Sequence, residues 1–379
     1  MKYSGVYWMG HVYDMGGYGN VSRNYLKALE AAGIPVYIYP IGEAHSEIGS
    51  GTKQWIEQLS TSQIGSNPVF VLHTLPSLFH VVKPPIPHAA KKIGITLFET
   101  DRLPFGWGAF CNKMDEIWVP SSFNHQTFHH SGVVLSKLQI VPYAIDVTKF
   151  YPGRPFTKFP FPVSDHTFKF TYVFGFDFRK GYDLLIESFC EAFSPQEEVS
   201  LILKVYIYSE HTPEYVLNEI RSHIPEERFQ RQIAVIIESF SQDQLLDFYL
   251  SSDVYVSMDR ACGWGMPLME AMTLGLPTIS IRWGGPTEFM NDGNSFLIEP
   301  EGGLVPVEEK LQYSRPEVYL NHQWADVSVQ NVAKVLREAY ENKTKRKRLL
   351  NKLPTICIPN LPPCHRNEDQ ESAWTELRL

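Results

Sequence analysis

The sequence has few cysteines and no long apolar run, and each shortage removes a class of protein. Cys111, Cys190, Cys262, Cys357 and Cys364 form an odd, scattered set without a C-x-x-C pair, so neither a disulfide framework nor a zinc cage is expected. No stretch holds the roughly 18 uninterrupted apolar residues of a spanning helix, and the first residues lead straight into a short apolar strand without a leader pattern. The expectation is a cytoplasmic protein. Basic charge is also short: 34 Lys and Arg against 42 Asp and Glu give a formal charge of -8. Nucleic acid is therefore not expected as a partner, and an anionic membrane is not expected as the main one, although peripheral membrane contact is left open. There is no D-x-D sequence and no histidine and carboxylate spacing typical of a metal site, so neither a metal nor a cofactor is expected to be required.

What is present is ample apolar material: 44% of 379 residues are hydrophobic and 20% charged, enough for two globular cores rather than one. Short β-branched or aromatic runs alternate with amphipathic stretches, predicting strands over 6–9, 36–39, 69–73, 92–98, 116–119 and 138–142. Helices are expected over 21–32 and over 123–130, the latter capped by Ser121. Pro152, Gly153, Pro155, Pro160 and Pro162 mark a linker, because proline breaks both helix and strand. The domain boundary is placed there, giving domains 1–155 and 156–352 and an irregular tail over 353–379. In the second half, strands are expected over 168–174, 201–206, 233–237, 254–257 and 278–281. Helices are expected over 182–192, 242–250 and 267–274, with a last helical stretch over 324–352 that ends in a solvated basic run. The fold class is α/β, two Rossmann-like doubly wound parallel-sheet domains facing a cleft, and such sheets bind ligands beyond the carboxyl ends of their strands.

The most informative stretch runs Asp259-Arg260-Ala261-Cys262-Gly263-Trp264-Gly265-Met266-Pro267-Leu268-Met269-Glu270-Ala271-Met272, with Trp283-Gly284-Gly285-Pro286-Thr287-Glu288 beyond it. It reads as a strand, a glycine turn and a helix opening at Met266-Pro267, where proline needs no amide hydrogen. Helix amino termini with close-approach glycines favour phosphate, and a carboxylate one turn in, Glu270, could accept both hydroxyls of a ribose. The plain alternative for Glu270 is a helix-surface carboxylate.

Gly263 to Met272 resembles the E-G-(F/W)-G-x-P-x-x-E-A-M motif of glycosyltransferase family four, the retaining GT-B glycosyltransferases also called glycosyl transferases group 1. Further similar segments are Glu99-Thr100-Asp101-Arg102-Leu103-Pro104, Glu116-Ile117-Trp118-Val119-Pro120-Ser121, Arg179-Lys180-Gly181 and Gly284 to Glu288. The resemblance implies a GT-B fold and transfer of a mannose- or glucose-type hexose from a GDP- or UDP-sugar. The expected acceptor is a hydroxyl on a glycan, a lipid-linked glycan or a small molecule. It also places the donor ribose on Glu270, the diphosphate on Lys180 with Arg179 beside it, and the donor near Glu288. Gly263, Gly265, Met266 and Pro267 would form the donor turn. Cys262 stands where the family has its first motif glutamate, and Val173-Phe174-Gly175-Phe176 offers no second cation before Arg179. A second reading is therefore a catalytically silent relative that binds nucleotide or glycan.

Three further features fall in the first half. Gly16 and Gly17 lie in a strand-to-helix turn where amides approach a donor phosphate or an acceptor. A dinucleotide fingerprint would need a third glycine where Ser22 stands, so nicotinamide chemistry is not expected. His73 and Glu99, each near a strand end, are expected to project into the cleft and orient the acceptor, with Asp101 beside them and a structural histidine as the plain alternative for His73; the catalytic candidates are Glu99, Lys180 and Glu270.

Overall fold

The structure, a computed structural model, describes residues 3–43, 48–80, 89–207, 211–228 and 231–350. The chain divides into two compact units. One runs to Asp146 and takes back Gln312–His322; the other holds Val147–Leu311 and resumes at Gln323. The expected boundary at 155/156 is thus moved nine residues earlier, and 312–322 leaves the second domain. The proline-bearing stretch is not a free linker. Its Thr157 and Phe159 amides donate to Asp247 Oδ1 and Ser251 Oγ at 3.0 and 2.8 Å, and Phe159 and Phe161 pack against Phe248. Apolar docking therefore assigns the segment to the second unit despite its broken backbone.

The first unit carries β1 (Val6–Gly10), α1 (Gly17–Ala31), β2 (Val36–Pro40), α2 (Ser50–Leu59), β3 (Val69–His73), β4 (Lys91–Ile95), α3 (Trp107–Cys111), β5 (Glu116–Val119), α4 (Ser122–His130) and β6 (Leu138–Ile140). The strands form one parallel sheet in the order β2-β1-β3-β4-β5-β6. All of β3 is buried, as expected for a strand covered on both faces. Helix α1 lays Ser22, Tyr25, Leu26 and Leu29 inward, a stripe at helical spacing. It begins four residues before the expected start because the glycine turn itself enters the helix. Ser121 caps α4 as expected, accepting from the Asn124 amide.

The second unit carries β7 (Phe168–Gly175), α5 (Tyr182–Ala192), β8 (Val199–Tyr206), α6 (Pro213–Arg221), β9 (Ile233–Ile236), α7 (Gln242–Leu250), β10 (Val254–Ser257), α8 (Met266–Thr273), β11 (Thr278–Ile281) and β12 (Phe296–Ile298). Its parallel sheet has the order β12-β11-β10-β7-β8-β9. A short antiparallel pair follows, β13 (Leu304–Pro306) with β14 (Gln323–Ala325). Between these two strands lie α9 (Glu309–Ser314) and α10 (Pro316–Tyr319), and after them α11 (Val329–Glu341) and α12 (Lys343–Leu350).

The single helical stretch expected over 324–352 is corrected on two points. Trp324 lies in β14, and the helix breaks at Asn342. The basic run is also less solvated than expected: Lys345 pairs with Glu338, and Arg346 donates to the last carbonyls of α11 at Ala339 and Tyr340, where a cation complements the helix dipole. The tail expected over 353–379, with Cys357 and Cys364, lies outside the described residues. Among the described residues no helix is long and apolar enough to cross a membrane.

Candidate functional site

In the second unit, β7, β10 and β11 are neighbours in one parallel sheet, so the turns that follow them meet at one edge. Glycine sets how closely they meet. Gly181 has φ +61, and a Cβ there would lie 2.1 Å from the Met258 carbonyl oxygen. A Cβ on Gly285 would lie 1.9 Å from the Gly263 carbonyl oxygen, and the Gly285 amide donates to the Cys262 carbonyl at 2.8 Å. Backbones this close exclude any side chain, which fixes the R-K-G turn, the Cys262-Gly263 turn and the Gly284-Gly285 turn against one another.

Charge is arranged inside this frame. Lys180 Nζ lies 2.7 Å from Asp259 Oδ2, with the lysine side chain 20% and the aspartate side chain 8% exposed. Burial works against the ammonium, but the adjacent Asp259 carboxylate outweighs it and the lysine pKa lies above its ordinary value. Burial works against Asp259 as well, yet Lys180 and Arg179 hold it below the usual carboxylate range. Tyr172 donates its hydroxyl to the same carboxylate. Arg179 donates from Nη1 to the Ala261 carbonyl at 2.6 Å, and its amide donates to Asp177. Arg260 forms a two-pronged pair with Asp183 at 2.8 and 2.7 Å over the Phe178 ring. The turn is thereby fixed before any ligand arrives, the condition under which a cation stabilises developing charge without reorganisation.

Cys262 is buried. Burial first, and then Asp259, push its thiol up to about 12, so it is a neutral group beside a charged pair. Helix α8 opens after Gly265 at φ +94 with proline in its first turn. Glu270, 7% exposed, accepts from the Tyr249 hydroxyl at 3.0 Å. Burial pushes its carboxyl up to about 7, only partly offset by that hydrogen bond. The helix-surface alternative is therefore excluded: Glu270 is an interior carboxylate whose ionisation waits for further donors. Glu288 is half-buried at the end of the turn Gly285–Glu288.

The first unit is different. The Gly16 amide donates to Asp14 Oδ1 at 2.9 Å, and a Cβ on Gly17 would meet nothing within 4 Å. The glycine that the turn requires is Gly19, where a Cβ would lie 1.9 Å from the Asp14 carbonyl oxygen. His73 does not project into open space as expected. It is fully buried, its Nδ1 lies 2.7 Å from Ser22 Oγ, and its ring sits among Trp8, Tyr18 and Tyr143. Burial, with a smaller contribution from His11, pushes its pKa down to about 3, which keeps the ring neutral. Glu99 is half-buried in the stretch after β4 and accepts from the Tyr319 hydroxyl at 2.7 Å. Asp101 pairs with Arg102 and lines an open groove of about 800 Å³ with Phe105, Asn112 and His130.

The structure thus brings Arg179, Lys180, Cys262, Gly263, Gly265, Met266, Pro267, Glu270 and Glu288 onto one unit. Gly16, Gly17, His73, Glu99 and Asp101 lie on the other. Sequence reasoning missed Asp259, the partner of Lys180, although an acid two positions after a buried strand was a usable signal. It also missed Tyr249, which reaches Glu270 from α7 and had no sequence signal.

Residues 167–309 match the family model described as Glycosyl transferases group 1. A mannosylfructose-phosphate synthase of Agrobacterium fabrum is 30% identical over 147 residues, covering 35% of this chain and 32% of that protein. A probable sucrose-phosphate synthase of Thermosipho melanesiensis is 24% identical over 198 residues, covering 50% of this chain and 41% of that one. The chain spans less than half the length of these curated relatives. Among solved structures, Anabaena HepE in complex with UDP and glucose superposes with a TM-score of 0.66 at 11% identity, covering 100% of both chains; at that identity the likeness speaks for the fold. Residues 167–309 are thus similar to the glycosyl transferases group 1 family, and they sit in a chain with the GT-B fold of two Rossmann-like units.

Proposed function

We propose that the chain is a retaining glycosyltransferase that moves a glucose- or mannose-type hexose from a nucleoside diphosphate sugar to a hydroxyl acceptor on a glycan, a lipid-linked glycan or a small molecule. The observation that carries this reading is the conjunction, on one edge of one sheet, of the Lys180-Asp259 pair, the opening turn of α8 and the interior carboxylate of Glu270. Lys180 and Arg179 would meet the diphosphate and stabilise the charge it gains as it leaves. The vicinal hydroxyls of the ribose would donate to Glu270 and supply what its burial withholds. These two cations carry the charge in this reading, which assigns no role to a metal ion. Glu99 and Asp101 would face the acceptor, with the groove lined by Asp101 and Phe105 as its landing place. HepE is described with UDP, glucose and UDP-glucose, so UDP-glucose is the first donor to try.

A thermal-shift panel of UDP, GDP, ADP and their sugars tests the donor, since a ligand that binds only the folded form raises its unfolding temperature. One base should stand out and lose its effect in Lys180→Ala. No shift with any nucleotide sinks the assignment. The neutral thiol of Cys262 at the first motif glutamate favours a second reading, nucleotide binding without transfer. Release of free nucleotide from the bound sugar donor by the unaltered protein decides against it; binding without release, cured by Cys262→Glu, decides for it.

A further inference from the structure

The segment Gln312–His322 lies in the sequence between β13 and β14 of the second unit yet packs in the first. It is closed on itself: the Asn321 amide donates to Gln312 Oε1 at 3.1 Å, and the His322 amide donates to the Tyr319 carbonyl at 3.0 Å. Asn321 turns the chain at φ +63, the one positive φ outside glycine among the described residues, a conformation that asparagine tolerates. Two side chains leave this loop for the same short stretch after β4. Tyr319, 3% exposed, donates its hydroxyl to Glu99 Oε1 at 2.7 Å, and His322, 3% exposed, lies with Nδ1 2.7 Å from Thr100 Oγ1. Between them Phe98, 2% exposed, meets both rings and Trp107.

We propose that Tyr319 is a positioning residue for Glu99: its hydroxyl fixes the acceptor-side carboxylate in one orientation, and His322 with Thr100 holds the loop that carries it. This rests on the acceptor role given to Glu99 above. A hydrogen bond to a carboxylate fixes where its oxygen points, and a phenol on a buried, self-closed loop has little freedom to release it. The titratable groups facing this stretch are Tyr319 and His322 from the segment, Tyr18 from α1, whose hydroxyl Glu99 helps to push up, and Asp101 and Arg102 beside His322. Burial keeps the His322 imidazole neutral, its pKa pushed down to about 4, so it holds Thr100 without adding charge near Glu99 at neutral pH.

The test is Tyr319→Phe in the full chain, read first by carboxyl carbon NMR of glutamate-labelled protein, with the Glu99 signal assigned by its loss in Glu99→Gln. The Glu99 carboxyl-carbon signal is expected to move at neutral pH once the hydrogen bond is gone. Hydrolysis of the selected donor, UDP-glucose or GDP-mannose with water as acceptor, should lose roughly tenfold in kcat with KM for the donor unchanged. An unmoved Glu99 signal overturns the inference. A moved signal with an unchanged kcat upholds the Tyr319 contact and removes the acceptor role of Glu99. If Tyr319→Phe loosens the fold, Glu99→Gln and the double variant complete a cycle in urea, and additive effects on the unfolding constant likewise overturn the inference.

Discussion

After β7 and β10 of the second unit, opposite charges stand within hydrogen-bonding distance: Lys180 against Asp259 and Arg260 against Asp183. In the first unit, His73 at the end of β3 and His322 against the stretch after β4 are buried and neutral, and Glu99 in that stretch is met by a phenol. Both units are parallel sheets with their loops at the carboxyl ends of the strands, so topology does not account for the difference. The segment that matches the family model, 167–309, lies wholly in the second unit. Under the proposed function, a site that meets a dianionic diphosphate keeps fixed cations, and cations drawn out of water need fixed acids. Under the same proposal, a site for neutral hydroxyls needs only oriented dipoles and a single carboxylate.

The sharpest way to break this comparison is Lys180→Ala. It is expected to cut affinity for the nucleoside diphosphate by about a hundredfold and to cost about 4 kcal/mol of stability, because Asp259 is left buried without its cation. Adding Asp259→Asn should restore most of the stability and none of the affinity, as calorimetry and urea unfolding will show. Purely additive losses would mean that the two residues act independently. Gly285→Ala should cost about 3 kcal/mol by forcing a Cβ into the Gly263 carbonyl, while Gly17→Ala in the first unit should stay within about 0.5 kcal/mol. Equal unfolding midpoints for the two variants would refute the close packing of the Gly263 and Gly285 turns.

Glu270→Gln sharpens the comparison through pH. The folded pKa of about 7 lies above the ordinary 4.5. The wild type therefore loses stability as pH rises from the lower value through the higher, and the glutamine variant does not. The variant should be more stable by about 3 kcal/mol at pH 8 and nearly level at pH 4.5, since each tenfold change in acidity on folding is worth about 1.4 kcal/mol. Nucleotide affinity should fall about tenfold. A difference that does not change with pH would place the carboxylate in water.

The smallest expected effect separates the units directly. His73 and His322 have pKa values pushed down to about 3 and about 4, so the stability they contribute is present above 6.5 and is lost as pH falls. Between pH 7 and pH 5 the first unit should lose about 2 kcal/mol per histidine while release of Glu270 strain gives the second unit about 2 kcal/mol. Hydrogen exchange of β3 against that of β10 reads the two changes, and parallel movement would contradict them.

Strands 69–73, 116–119, 254–257 and 278–281 could be read to the residue, because a strand covered on both faces is a short apolar run with polar ends. The α8 turn was legible for another reason: Gly265 and Pro267 satisfy backbone geometry that few residues permit. The domain boundary was misplaced because proline density marks broken backbone, not solvent, and Phe159 and Phe161 bury themselves regardless. The requirement for glycine fell on Gly19 and not on Gly17, a distinction only the Asp14 carbonyl makes.

The order of strands and helices, the glycine turns and the family motif came from local chemistry, since each depends on residues within a few positions of one another. The tertiary structure alone decided the partners. Lys180 finds Asp259 across 79 positions because β7 and β10 are neighbours in the sheet, and Tyr319 finds Glu99 across 220 because the chain returns to the first unit. Contacts at such separations are set by sheet order and by where buried aromatic rings can pack, and no local pattern records either.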